Sequence, residues 1–299
     1  MEVGLVGCGR WGANILRDLR SLGCSVPVVA RSRASVARAR DGGASAVVGD
    51  VSDLRDLDGI VVATTTSSHA EVVEAVLDHG VPVFVEKPLC TDADRAVRLS
   101  ELGGDRLFVM DKWRYHPGVL ELATIARSER LGPVLGLSTT RIGPGRPHGD
   151  VDSAWVLAPH DLSIALEILG RVPRPVHAVG VAAANDVLHM QALLQAEPAW
   201  HTLTVSSRIP EYRRSVELHC ADGTASLAGG WDTHITILRT GAAETDGERV
   251  KTPGELPLLA ELRAFVRHLD GGPSPKSSGA EGAEVVAAIG RLRDFVLSP

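Results

Sequence analysis

The sequence predicts an α/β protein in two parts: a doubly wound parallel sheet over residues 1–115, and over residues 116–299 an α+β domain built on a large, mainly antiparallel sheet with helices on one side. Three observations carry this. Short branched apolar runs alternate with helical stretches up to Tyr115, as buried parallel strands with crossover helices require. After Tyr115 the runs become extended segments with one apolar face, linked by turns. A chain of 299 residues, 44% of them hydrophobic, is also long enough to bury two domain cores.

In the first part the strand-like runs fall at 3–6, 26–30, 46–48, 60–63, 81–85 and 107–110. Helical stretches separate them, at 12–22 and at 69–79, where Val72, Val73, Val76 and Leu77 recur with helical spacing. In the second part, helices are expected at 118–128 and 159–169, with Pro159 opening the latter. Extended segments are expected at 134–141, 176–183, 187–194, 201–208, 215–220, 224–228 and 234–238. Residues 271–276 read as a loop and 283–297 as a terminal helix, with no internal repeat and no low-complexity segment.

Composition excludes several classes. With 31 basic against 37 acidic residues and a formal charge of -6, there is no basic field to attract nucleic acid. Cys8, Cys24, Cys90 and Cys220 lie far apart with no C-x-x-C pair, which fits neither a metal cage nor a disulfide scaffold and suits a reducing cytoplasm. No apolar stretch approaches membrane-spanning length, and the apolar start is too short for a signal-peptide core, so a soluble, unprocessed, cytoplasmic protein is expected.

Gly7-Cys8-Gly9-Arg10-Trp11-Gly12 matches G-x-G-x-x-G directly behind the first strand and at the start of the first helix. There the glycines allow a tight turn, close approach to a pyrophosphate and close helix–strand packing, so Gly7, Gly9, Arg10, Trp11 and Gly12 are expected at a dinucleotide. The ribose is normally read by an acid about 20 residues on. Here the second strand ends Ala30-Arg31-Ser32-Arg33, with no Asp or Glu until Asp41. Arginine beside serine suits a 2′-phosphate, so NADP(H) is expected over NAD(H). The alternative is that Arg31, Arg33, Arg38 and Arg40 form a solvated basic face. Thr64 and Thr65, behind the fourth strand, are expected at the cofactor, whereas Ser67 or Ser68 suits the cap of the next helix.

Lys87 is one of four lysines among 31 basic residues. It stands in Glu86-Lys87-Pro88, behind the apolar run 81–85, and arginine fills nearly every other basic position. A retained lysine marks a place that uses a compact ammonium with an adjustable pKa. That points to proton chemistry at the carboxyl end of a buried strand. Arg114, Tyr115, His116 and Arg141, with the loop 143–148, are candidates to hold a phosphate or carboxylate of a substrate. Trp155 is a candidate to cover a ring, against the commoner role of core residue.

The glycine motif, Ala63-Thr64 followed by His69, the segment 83–89 with Glu86-Lys87-Pro88, Tyr115-His116-Pro117 and the run from Trp155 to His160-Asp161 occur in the order found in the Gfo/Idh/MocA oxidoreductases. The chain resembles this family, the glucose-fructose oxidoreductase and inositol dehydrogenase relatives, over essentially its whole length, and most of all the branch acting on nucleotide-linked sugars and related polyols. The resemblance implies a Rossmann domain and an open-faced sheet domain that often packs on a partner subunit. It further implies hydride transfer at a secondary alcohol or ketone carbon. Lys87 takes the place of the lysine near the nicotinamide and the reacting oxygen, with Glu86 beside it, and His160 that of a proton donor or acceptor. Glu86, Lys87 and His69 are expected at the cofactor, and Lys87 and His160 also at the substrate.

One departure stands out. Many relatives carry a carboxylate four residues before the helix histidine, where this chain has Val156; Asp152 substitutes only if the loop folds back. A non-catalytic, cofactor-binding regulator of the same fold and a reductase of imines or other small carbonyls are the alternatives to a keto-sugar reductase. An open sheet face of this size exposes an apolar patch in a monomer, so a homodimer or homotetramer is expected.

Overall fold

The computed structural model describes residues 1–145 and 149–298, with backbone alone at residue 244. The first sheet holds β1 (Val3–Val6), β2 (Pro27–Val29), β3 (Ala46–Val48), β4 (Gly59–Val62), β5 (Val83–Glu86) and β6 (Leu107–Met110). All pairings are parallel, in the order β3-β2-β1-β4-β5-β6. Every residue of β1, β4 and β6 is buried, which is why these strands read as continuous apolar runs. The crossovers run through α1 (Arg10–Ser21), α2 (Arg33–Asp41), α3 (His69–Leu77) and α4 (Ala93–Gly103). The strand order reverses beside β1, the position at which such sheets open a ligand cleft at their carboxyl edge.

The second sheet follows α5 (Pro117–Ser128) and takes in β7 (Val134–Ile142), then, after α6 (Ser153–Leu169), β8 (Arg174–Ala183), β9 (Asp186–Ala196) and β10 (Ala199–Ser206). It continues through β11 (Arg213–Cys220), β12 (Gly223–Leu227), β13 (His234–Arg239) and β14 (Glu248–Lys251). The order is β14-β13-β12-β11-β7-β10-β9-β8, antiparallel except where β10 lies parallel to β7. One face carries α5 and α6: Val119, Leu122 and Ala123 of α5 and Ile164, Ala165 and Ile168 of α6 close over Leu137, Val216 and Leu218.

The chain finishes with α7 (Pro257–Leu269) and α8 (Gly279–Leu297). Two compact units result: residues 1–112 with 258–286, and residues 113–257 with 287–299. The division is therefore not one cut at residue 115, because α7 returns to the first sheet, where Leu258, Leu262 and Phe265 join the core of Leu5, Phe84 and Phe108. Its sequence spacing is helical, but nothing local says which core it joins.

α6 starts at Ser153, so Pro159 lies inside the helix and does not open it. Asp152 supplies the start: its carboxylate accepts from the backbone N–H of Ala154 and Trp155. Two elements escape apolar periodicity for a physical reason: α2 buries only Ala39 among its arginines, and β14 is a charged edge strand with one half-buried residue, Val250.

His201 on β10 is fully buried, with Nε2 paired to the Thr139 hydroxyl at 2.9 Å. Burial pushes its pKa down to about 3. The unfolded chain takes up this proton near pH 6.5 and the folded chain does not until about 3, so stability is lost as pH falls through that window, by about 1.4 kcal/mol per pH unit. His201→Gln, which keeps a partner for Thr139 and does not titrate, is expected to show a slope shallower by that amount in urea unfolding between pH 6.5 and 4.5. Equal slopes in the two proteins would refute this.

Candidate active site

β1 runs straight into Gly7, whose φ of +97° is open to glycine and strained for other residues. A Cβ on Gly7 would stand 2.7 Å from the Ala63 carbonyl oxygen, and one on Gly12 2.3 Å from the carbonyl oxygen of Gly7. Those two glycines let the turn and α1 pack against the strands. Gly9 differs: a Cβ there meets nothing within 4 Å. It caps α1 without a side chain, and the first turn of α1 carries no acid, so the N–H groups are left for a ligand and the helix dipole favours an anion. This donor set fits the pyrophosphate of a dinucleotide. Arg10 is exposed, and the Nε1–H of half-buried Trp11 donates to the Glu86 carboxylate.

At the end of β2, Ala30 is buried and Arg31 exposed. Arg31 donates through Nε to the Gly49 carbonyl at 3.1 Å and reaches the Asp50 carboxylate at 3.0 Å. The backbone N–H of Ser52 and then its hydroxyl hold the Asp50 carboxyl below its ordinary range, with Arg31 acting in the same direction. Asp50 is missing from the sequence reading because parallel pairing of Val29 with Val48 brings it beside Arg31 from another strand. Ser32 caps α2 in a reciprocal arrangement with Ser35, and Arg33 lies exposed at the start of that helix. Arg38 donates to the Cys8 carbonyl at 3.2 Å, so it supports the glycine loop and is more than a solvated charge.

Behind β4, the Ser68 hydroxyl donates to Thr65 O at 2.9 Å and lies 3.0 Å from the Thr64 hydroxyl. It therefore does not cap α3, which has no side-chain cap. His69, expected to touch the cofactor, is buried, and its Nδ1–H donates to the Pro88 carbonyl at 2.8 Å. Nε2 lies 3.4 Å from the Thr64 carbonyl oxygen. The imidazole braces the threonine loop against the turn that carries Lys87. Burial pushes the Glu86 carboxyl up, while the ammonium of Lys87 and the N–H of Trp11 draw it back.

Several residues expected to meet substrate are engaged inside the second unit. Arg141 is buried and grips Asp161 with Nε and a terminal nitrogen at 3.1–3.2 Å, its guanidinium 4.3 Å from the Trp113 ring centroid. Burial pushes the Asp161 carboxyl up, and the Arg141 fork opposes that push. Arg114 pairs with Glu167 at 3.2 Å, both largely buried. His116 caps α5, accepting at Nδ1 from Gly118 N–H at 3.1 Å, with Nε2 3.2 Å from the Gly230 carbonyl oxygen. Trp155 is buried under the Arg293 guanidinium. Asp152 does not substitute for the carboxylate that Val156 lacks, because its oxygens serve the start of α6, Val187 N–H and Arg293. Tyr115 and His160 keep partial exposure. Lys87 belongs to the first unit and His160 to the second. Residues 146–148 of the expected substrate loop lie outside the described residues.

A family model described as "Oxidoreductase family, NAD-binding Rossmann fold" matches residues 1–106. Myo-inositol dehydrogenase Hyg17 of Streptomyces leeuwenhoekii is 33% identical over an alignment of 319 positions, covering 93% of this chain and 91% of that protein. The chain belongs to the Gfo/Idh/MocA oxidoreductase family. Among solved structures, this Gfo/Idh/MocA fold is matched by UDP-N-acetylglucosamine 3-dehydrogenase GnnA from Acidithiobacillus ferrooxidans, with a TM-score of 0.86 and 24% identity over 100% of this chain and 98% of that one. It is matched also by KijD10, a 3-ketoreductase from Actinomadura kijaniata in complex with TDP-benzene and NADP, with a TM-score of 0.86 and 20% identity over 99% and 98%. As a Gfo/Idh/MocA member with a site of this construction, the protein is an NAD(P)-dependent oxidoreductase. Among the described residues no helix is long and apolar enough to cross a membrane.

Proposed function

We propose that the enzyme moves a hydride between NADP(H) and a secondary alcohol or ketone carbon of a sugar, sugar nucleotide or cyclitol, and that it works as a keto-sugar reductase. The observation that carries this is Lys87 on the turn braced by His69, in the same unit as a glycine loop that opens a helix with no side-chain cap and no acid in its first turn. The names of Hyg17, GnnA and KijD10 support the substrate class. The bound nicotinamide supplies or accepts the hydride. Reduction builds negative charge on the carbonyl oxygen, which calls for a cation beside it and a proton. Lys87 supplies the cation, and His160 or Lys87 gives the proton that completes the alcohol.

Arg31 favours NADP(H). Its pair with Asp50 is exposed on both sides and so worth little, and the doubly charged 2′-phosphate outbids one carboxylate for the guanidinium. NADPH is expected to outperform NADH in spectrophotometric turnover against a panel of keto-sugar nucleotides, and Arg31→Asp to reverse the preference. Equal use of both cofactors, or an unmoved NADPH affinity in the variant, counts against the assignment. Turnover of cyclic imines but of no keto-sugar would place the enzyme among imine reductases.

The face of the second sheet opposite α5 and α6 exposes Val179 (55%), Val181 (56%), Leu193 (44%) and Trp200 (36%). Such a patch suits a homodimer or homotetramer. Light scattering is expected to give a multiple of 31.6 kDa, and a stable monomer would rule this out. Four free, buried cysteines suit the reducing cytoplasm.

A further inference from the structure

α7 crosses the first sheet against the direction of the strands. A Cβ on Gly59, at the start of β4, would lie 2.8 Å from Leu269, and Phe265 stacks on Phe84 of β5 with ring centroids 5.0 Å apart. Glu261 stands one helical turn before Phe265 on the same face, and Glu86 two residues after Phe84 on the same face of the sheet. The two carboxyls are thereby brought together at the carboxyl edge. Glu261 is fully buried, and neither of its oxygens has a hydrogen-bond partner among the described residues. Glu86, by contrast, accepts from Trp11, whose ring lies 4.2 Å below the Lys112 ammonium.

The charged groups facing this spot are Glu86 and Lys87 at the end of β5, and Asp111 and Lys112 behind β6. With Glu261 ionised there would be three carboxylates against two ammonium groups in a desolvated place. One proton restores balance, and it goes to the carboxyl with no donor to lose. We propose that Glu86 and Glu261 share a single proton held by Glu261, and that this neutral acid is a positioning residue keeping the Glu86 carboxylate on Trp11 at the nucleotide loop. Burial, and after it the charge of Glu86, drives Glu261 well above the ordinary carboxyl range, against the pull of Lys112. Raising the pH through that value puts a second charge against Glu86, unseats the Trp11 contact and weakens the cofactor site.

The test is NADPH affinity of the full chain, read by fluorescence from pH 6 to 10, in the native protein and in Glu261→Gln and Glu261→Leu. Glu261→Gln mimics the neutral acid and should match the native protein at pH 6. At alkaline pH the native protein should fall away from it, by about tenfold per unit above the Glu261 value. Glu261→Leu, which cannot ionise, should likewise show no alkaline loss. Infrared spectra of the cofactor-free protein at pH 7 should show a protonated-carboxyl band that Glu261→Gln lacks. Parallel pH curves for native protein and Glu261→Gln, or the absence of that band, would overturn the proposal whether or not Glu261→Leu folds.

Discussion

Lys87→Met is expected to lower kcat by about 10²–10⁴-fold, the usual contribution of a positioned proton-transfer group, while NADPH still binds. Methionine keeps the length and apolar stem of the side chain and removes only the ammonium. The turn is held independently, by His69 on the Pro88 carbonyl and by β5, every residue of which up to Glu86 is buried. The variant should therefore fold with this turn in place. Lys87→Arg should recover little, because a guanidinium neither gives up a proton at neutral pH nor fits the space of a compact ammonium. Fluorescence titration of NADPH beside steady-state turnover separates the two effects. A variant that turns over normally would remove Lys87 from the chemistry; one that fails to bind NADPH would make its role structural.

What was legible in the sequence was local. The glycine motif sits on consecutive residues, and its three glycines have three separate causes that strand–turn–helix context already contains. Lys87 was visible for the same kind of reason: a rare residue type immediately behind a buried strand. Asp50 and Glu261 were invisible because each reaches its place through a distant pairing, one through the β2–β3 register and the other through a helix that returns to the first sheet from residue 257 onward. The arginines expected at a substrate meet their partners through distant pairings too. Arg114 and Arg141 read as available cations, but Glu167 and Asp161 engage them, and no spacing rule connects residues 114 and 167 or 141 and 161. His69 is expected at the cofactor through the resemblance, and His116 at the substrate because it follows the last strand of the first sheet. Both also engage backbone groups, Pro88 and Thr64 for His69 and Gly118 and Gly230 for His116, which a sequence does not display as partners.

Asp161→Ala is expected to cost about 3–5 kcal/mol of stability, the penalty for leaving a buried charge without its partner. Arg141 is 3% exposed, Asp161 fully buried, and Arg214 contributes a second nearby positive charge whose pKa burial already pushes down. Removing the carboxylate strands the Arg141 guanidinium and leaves it facing the charge of Arg214. Urea unfolding of the variant measures the loss, and Arg141→Met with Asp161→Leu supplies the control: replacing both members by apolar groups should recover much of it, since a buried pair gains little over good apolar packing. A loss within 1 kcal/mol for the single variant would mean that solvent reaches Arg141. The pair also bears on the reaction. Successive helix residues point about 100° apart, so anchoring Asp161 inward fixes the rotation of α6 and with it the direction of His160. If His160 handles the proton, Asp161→Ala should lower kcat at temperatures where the protein stays folded, and the apolar double variant should restore stability more fully than it restores kcat.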